Sequence, residues 1–166
     1  SRLRVDGRLR ATFGKGQARL NAYASDYAFT VEGLLALYEA TGDFTRVRQA
    51  AELTDVAITH YWGNGSGGFY MTADDHEGLL VRSMTSNDGA TPSANSTMAR
   101  NLLRLALLLD RKDYADRAVA IPRLFGDAAA NQPFQSERML TAAMEHGAGF
   151  VEVVIAMGAV LTRFEA

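Results

Sequence analysis

Small polar side chains are concentrated where one helix is expected to begin. The segment 87–96 combines an Asp88-Gly89 turn with side chains that carry hydroxyl, amide and carboxylate groups. Thr91 is expected to cap this helix, with Pro92 at the first helical position, where it loses no hydrogen bond. Free backbone N–H groups and the helix dipole at such a start favour polar or anionic ligands. A well-capped helix that binds nothing explains the same residues.

A second acidic residue, Asp26, lies beside Tyr27 at the start of an earlier helix. If the first, third and fifth helices form an inner row, their starts face the same way and these side chains converge. Two carboxylates in different environments can act as general acid and general base. Asp26 and Asp88 are therefore the candidate catalytic residues. The alternative for Asp26 is that it only caps its helix.

The other candidate residues would complete a polar, aromatic mouth. The candidate substrate-binding residues are Tyr27 as a stacking surface, Arg82 as a clamp, Ser93 and Asn95. Aromatic faces cover the C–H surface of a sugar while polar groups fix its hydroxyls. The sequence therefore favours a sugar as the ligand.

Other chemistries find no support in the sequence. Gly63, Gly65 and Gly68 match the dinucleotide-binding spacing, but they follow a helix and precede a strand, so a turn is the preferred interpretation. His60, His76 and His146 show no metal-ligand spacing. The chain has no cysteine, which excludes disulfides and thiol nucleophiles. We expect no cofactor and no metal.

Composition indicates one ordinary globular domain of 166 residues with a net charge of -2. This charge gives no reason to expect nucleic acid, and we expect the arginines of the first 20 residues on the solvated side of a hairpin. No apolar stretch is long enough for a membrane span, and no signal peptide is recognisable. We expect a soluble protein that does not bind membranes, with a cytoplasmic location favoured.

Periodicity predicts a mainly α fold. A β-hairpin is expected over 3–20 around Gly14-Lys15-Gly16, and a strand over 150–155. The predicted helices cover 25 or 26 to 40, 45–61, 92–109, 113–130 and 135–145.

The helices are expected to form repeated hairpins. A weak repeat relates 34–44 to 102–114, and such hairpins bury both faces only by stacking into a solenoid or closing into a ring. The connection 62–91 is long for two helices, and its stretches 68–72 and 79–84 predict a β-hairpin insertion.

Several motifs resemble the YyaL family, the thioredoxin-like proteins that include the spermatogenesis-associated members. The segments that carry the resemblance are 25–29, 32–41, 67–70, 88–96 and 101–105. It implies that the chain forms αα-hairpins of an (α/α)6 toroid, about half of a six-hairpin ring. Toroids of this type resemble N-acylglucosamine 2-epimerases and six-hairpin glycosidases.

The resemblance also implies that a thioredoxin-like domain and the first toroid half precede this region, so the chain resembles a fragment or a shortened relative. A half ring exposes apolar hairpin faces, which predicts a homodimer. Two functions remain open. One is a domain that binds or processes carbohydrate, and the other is a non-catalytic helical scaffold for protein interaction.

Overall fold

A computed structural model describes residues 2–76 and 81–149 of the chain. The first elements in sequence form a small antiparallel sheet. Strand β1 (Arg4–Val5) pairs with β2 (Arg8–Gly14), which pairs with β3 (Gln17–Asn21). The two-residue turns Asp6-Gly7 and Lys15-Gly16 have positive φ at both positions, as type I′ hairpin turns require. The predicted hairpin is confirmed, and the structure adds a third strand.

Five helices follow, and the predicted mainly α class is confirmed. Their bounds are α1 Ala24–Thr41, α2 Thr45–Tyr61, α3 Ala94–Leu109, α4 Lys112–Asn131 and α5 Glu137–Ala148. The predicted start of the fifth helix is too early, because a short 3-10 turn, Pro133–Gln135, precedes α5. Pro122 lies inside α4 without interrupting it.

The helices pack as successive hairpins. α1 packs against α2, and α3 packs against α4; α1 and α3 are neighbours, as are α3 and α5. The side-chain amide of Asn101, in α3, donates to the backbone carbonyl of Ala28, in α1, at 2.8 Å in the buried interface. Helices α1, α3 and α5 therefore form one row.

Buried tyrosines join the sheet to the helices. The rings of Tyr27 and Tyr61 lie 5.3 Å apart and are fully buried. The Tyr27 hydroxyl accepts a hydrogen bond from the Leu9 N–H of β2 at 2.9 Å, and the Tyr61 hydroxyl donates to the carbonyl of Ala22. Burial raises the pKa of Tyr61. The sheet is thereby fixed at the start of α1.

The long connection between α2 and α3 is irregular in its described part. Trp62 and Phe69 form an isolated antiparallel bridge, and the Met71 N–H donates to the Ser83 carbonyl at 2.8 Å. A Cβ at Gly63 would lie 2.2 Å from Ser66 Oγ, so a larger residue here requires the Ser66 side chain to move. No continuous strand is present over residues 62–76 and 81–91. Residues 77–80 lie outside the described residues, so the predicted hairpin insertion stays a prediction, as does the strand over 150–155.

Two arginines of the sheet have partners elsewhere in the protein, which corrects the expectation from the sequence for these two, whereas Arg19 is exposed as expected. Arg4 pairs with Glu52 of α2, and Arg8 pairs with Asp75. These ion pairs attach the sheet to α2 and to the long connection. Within residues 2–76 and 81–149, each helix is too short or too polar to cross a membrane.

Candidate functional site

Ser93 caps α3, and the prediction that Thr91 does so is wrong. The Ser93 backbone is extended, and its Oγ accepts a hydrogen bond from the Ser96 N–H at 3.0 Å. Thr91 is exposed and lies two residues before the cap. The helix therefore starts at Ala94, since the serine satisfies an N–H group that no helical carbonyl can reach.

Asp88 connects the starts of two helices. Its Oδ1 accepts the Ser93 N–H at 2.8 Å, and its Oδ2 accepts the Arg138 N–H of α5 at 2.9 Å. The Asp88 N–H itself donates to the carbonyl of Gln135 at 2.7 Å. Both carboxylate oxygens are thus used within the protein. In this arrangement Asp88 fixes α5 against the start of α3.

Asn95 is fully buried and holds the long connection in place. Its Oδ1 accepts the Phe69 N–H at 2.7 Å, while its Nδ2 donates to the carbonyls of Phe69 and Thr85, each at 2.9 Å. The amide therefore behaves like a strand neighbour of Phe69. Its described hydrogen bonds leave it little capacity for a ligand.

Asp26 and Tyr27 also have partners inside the protein. Asp26 Oδ2 accepts the Tyr23 N–H at 2.7 Å, the reach-back bond of a capping box. This geometry fits the alternative in which Asp26 caps α1. The ring of Tyr27 is fully buried against Tyr61, so it offers no face for stacking in this conformation.

Arg82 is a clamp, but on the protein itself. Its guanidinium donates to the Thr72 carbonyl from Nε at 3.1 Å and from Nη2 at 2.6 Å. Nη2 also donates to the carbonyl of His60 at 2.9 Å, and the group lies 4.2 Å from the centre of the Tyr70 ring. Arg82 therefore ties the end of α2 to the long connection.

The six candidate residues do not form one hydrogen-bonded cluster. Among them, in the part of the chain that the structure describes, only Asp88 and Ser93 bond to each other. Their roles as acid, base and ligand contacts stay predictions, and the geometry shows each as a structural contact.

A cavity lies beside the start of α1, and sequence reasoning missed it. Its volume is about 650 Å³. It is lined by Arg10, Leu20, Asn21, Tyr23, Thr72, Asp75 and His76. We call it the α1 cavity. The available signal was Tyr23, an aromatic residue directly before a helix whose cap position usually carries a small polar residue.

Asp75, which lines the α1 cavity, forms an ion pair with a distant part of the chain. Arg8 donates to both oxygens of Asp75, from Nη2 to Oδ1 at 2.9 Å and from Nη1 to Oδ2. These hydrogen bonds lower the pKa of the Asp75 carboxyl and raise that of Arg8. Asp75 is therefore ionised at neutral pH and neutralised by its partner.

Two aromatic side chains also line the α1 cavity. The rings of Tyr23 and His76 lie 5.6 Å apart with planes tilted by 35°. Tyr23 is 47% exposed. The Ala73 N–H donates to His76 Nδ1 at 3.0 Å, so the neutral ring carries its hydrogen on Nε2. Together these groups present an aromatic surface beside hydrogen-bonding side chains.

Three residues near the α1 cavity could hold a metal ion by distance alone. Ligand atoms of His60, Asp74 and Asp75 lie within 4.8 Å of one another. His60 Nδ1 lies 2.9 Å from Asp74 Oδ1, and both oxygens of Asp75 already accept from Arg8. The guanidinium beside the third ligand opposes a cation, because like charges repel.

Comparison with known proteins identifies relatives. No family model matches the chain. It is 34% identical over 134 residues to spermatogenesis-associated protein 20 from Rattus norvegicus, and equally to that from Homo sapiens. These matches cover 80% of this chain and 17% of each relative. The chain thus spans less than a fifth of the length of the curated relatives it matches.

An uncharacterised protein of Caenorhabditis elegans is 36% identical over 104 residues, which are 63% of this chain and 14% of that protein.

Proposed function

This chain belongs to the spermatogenesis-associated protein 20 family over the region that it shares with these relatives, and on that premise we propose that it is a carbohydrate-binding domain built from the αα-hairpins of a toroid. The row formed by α1, α3 and α5, with α2 and α4 packed on it, supports a toroid segment. The resemblance of such folds to sugar enzymes concerns architecture, so the site has to support the ligand.

The α1 cavity is the observation that supports a sugar. Tyr23 offers a half-exposed ring, and His76 extends it. Arg10 and Asn21 supply hydrogen-bonding groups at its edge. This combination of an aromatic face with planar polar side chains suits a ligand that is apolar on its C–H faces and polar at its rim. We therefore propose that the ligand binds in the α1 cavity, whose residue Tyr23 is close to Asp26 in sequence, and not at the start of α3.

Titration with glucose, mannose, N-acetylglucosamine and cellobiose, followed by amide shifts in ¹H–¹⁵N NMR, tests the proposal. We expect saturable shifts around Tyr23 and His76 for at least one sugar, and their loss in Tyr23→Ala. Phe13→Ala is the matched control, because Phe13 is similarly exposed at 42%, lies in β2 and does not line the α1 cavity. Absence of saturable shifts for every sugar would refute the proposal.

A scaffold function is the second candidate, and one surface favours it. Phe29 and Leu37 are 37% and 51% exposed and lie eight residues apart on α1, with exposed Gly33 midway between them. Residues at this spacing share one helix face, so α1 presents an apolar stripe. In the scaffold proposal the stripe pairs with a second copy of the chain to form a homodimer.

Light scattering coupled to gel filtration tests the homodimer. The expected result is twice the chain mass for the unmodified protein and the monomer mass for Leu37→Lys. Thr30→Lys is the control, since Thr30 is exposed on the same helix and polar. If the unmodified protein is a monomer at all concentrations, a second copy of the chain is excluded as the partner.

A further inference from the structure

We propose that the sugar bound in the α1 cavity carries a carboxylate or a phosphate, and that Arg10 binds this anionic group. The inference rests on the proposed carbohydrate-binding function and deepens it. It follows from which hydrogen-bonding atoms around the cavity are already used.

The carboxylate, amide and imidazole acceptors around the α1 cavity already have partners in the protein. Both oxygens of Asp75 accept from Arg8. Asn21 Oδ1 accepts from Nη1 of Arg10, which is its partner across β2 and β3. His76 Nδ1 accepts the Ala73 N–H at 3.0 Å. His76 Nδ1 has no lone pair left for a ligand, and each oxygen of Asp75 and Asn21 already accepts one hydrogen bond.

The donors at the same cavity remain available. Arg10 uses only Nη1 in a side-chain hydrogen bond to a described residue. Because a guanidinium can only donate, the oxygen of Asn21 faces Arg10 and the NH₂ of Asn21 is left as a donor. His76 has its Nε2–H left as a donor, because its Nδ1 accepts the Ala73 N–H and the hydrogen of the neutral ring is therefore on Nε2. Thr72 also lines the cavity, and its buried hydroxyl, which can donate or accept, has no partner in the described structure.

The charged groups at the α1 cavity also differ in whether they have a partner. Arg8 is neutralised by Asp75, whereas Arg10 takes part in no ion pair with a described residue. The carboxylate of Asp26, at the start of α1, accepts the Tyr23 N–H and does not line the α1 cavity. A surplus of donors with one unmatched cation favours a group that only accepts hydrogen bonds and carries negative charge. Hydrogen bonds between such ionised groups are roughly twice as strong as neutral ones.

The test compares glucose, glucuronate and glucose 6-phosphate, with acetate and inorganic phosphate as ligands lacking the sugar. Affinities are measured by NMR titration on the 166-residue chain. We expect glucuronate or glucose 6-phosphate to bind about tenfold more tightly than glucose, which corresponds to about 1.4 kcal/mol. Comparison of the two acids tells whether the cavity prefers a carboxylate or a phosphate.

The variant Arg10→Gln should abolish this preference, so that it binds the acidic sugars no more tightly than glucose. Arg19→Gln is the matched control, because Arg19 lies in the same sheet, donates to Gln17 and does not line the α1 cavity. The preference of the Arg19→Gln variant for the acidic sugars should equal that of the unmodified chain.

The outcomes separate the two proposals. Equal affinity for glucose and both acidic sugars would overturn the anionic inference while the sugar function stands. Acetate or phosphate binding as tightly as the acidic sugar would support the anion site and refute the sugar function. If no ligand of the set binds, both proposals fail. Retention of the preference in Arg10→Gln would exclude Arg10 as the binding residue.

Discussion

The side-chain amide of Asn95 pairs with the backbone of Phe69 through two hydrogen bonds, one in each direction, at 2.7 and 2.9 Å. Asn95 is the second residue of α3, and Phe69 lies in the long connection, 26 residues earlier. A helix side chain thus takes the place of a neighbouring strand. This relationship fixes the connection against α3 without a regular sheet.

Removal of the Asn95 amide should therefore destabilise the protein. We expect Asn95→Ala to lower the free energy of unfolding by about 3 kcal/mol, because the buried N–H and carbonyl of Phe69 lose their partner. Urea unfolding measures the change. Asn131→Ala is the control, since Asn131 is exposed at the end of α4. A loss equal to that of the control would contradict the role of Asn95.

Asp88 provides a second test, because it distinguishes a helix cap from a catalytic group. Asp88→Asn keeps one carbonyl oxygen and should lose one of the two N–H acceptors, for Ser93 or for Arg138. We expect a loss of about 1 kcal/mol in the free energy of unfolding. Hydrogen exchange of the first amides of α5 should become faster.

Asp127→Asn is the control for Asp88, since Asp127 is exposed on α4. A variant Asp88→Asn with unchanged stability but altered sugar binding or turnover would instead support the prediction of a catalytic carboxylate.

The ends of α1 and α3 predict opposite effects of glycine. Gly42 follows α1 with φ of 69°, and Asp110 follows α3 with φ of 51°. Only glycine adopts this left-handed conformation without steric cost. We expect Gly42→Ala to destabilise the protein by about 1 kcal/mol and Asp110→Gly to stabilise it by about 0.5 kcal/mol. Thermal unfolding of both variants checks the signs, and two changes of the same sign would contradict them.

Glu145 predicts how α5 responds to pH. Arg100 of α3 donates to it from Nε at 2.8 Å and from Nη2 at 2.6 Å, and these hydrogen bonds lower the pKa of Glu145. A carboxyl whose pKa is lowered by folding stabilises the protein above its unfolded pKa. That contribution is lost as the pH falls through the folded pKa.

We therefore expect Glu145→Gln to be less stable than the unmodified chain at pH 7, and the difference to disappear as the pH falls below the lowered pKa of Glu145. Urea unfolding across this range measures the difference. Asp127→Asn should show no such convergence, since Asp127 forms no ion pair with a described residue. A stability difference between Glu145→Gln and the unmodified chain that does not change with pH would show that the ionised Glu145 carboxylate is not its source.

Local signals were sufficient for the secondary structure. Apolar residues at three- and four-residue steps predict α1 and α2 closely, and Lys15-Gly16 predicts the turn between β2 and β3. The start of α3 was missed by two residues because Thr91 and Ser93 are both good caps. The choice between them depends on Asp88, whose carboxylate binds the Ser93 N–H.

The sequence by itself determined the helix type, the hairpin turns and the family, because these depend on neighbours within a few residues and on matching segments. Only the tertiary structure decided which partner each polar side chain takes. Arg8 and Asp75 are 67 residues apart in sequence, and no local pattern pairs them. Their ion pair neutralises one wall of the α1 cavity and leaves Arg10 as its unmatched cation. The polar residues expected to bind a ligand were instead taken up by backbone groups, since buried N–H and carbonyl groups must find partners.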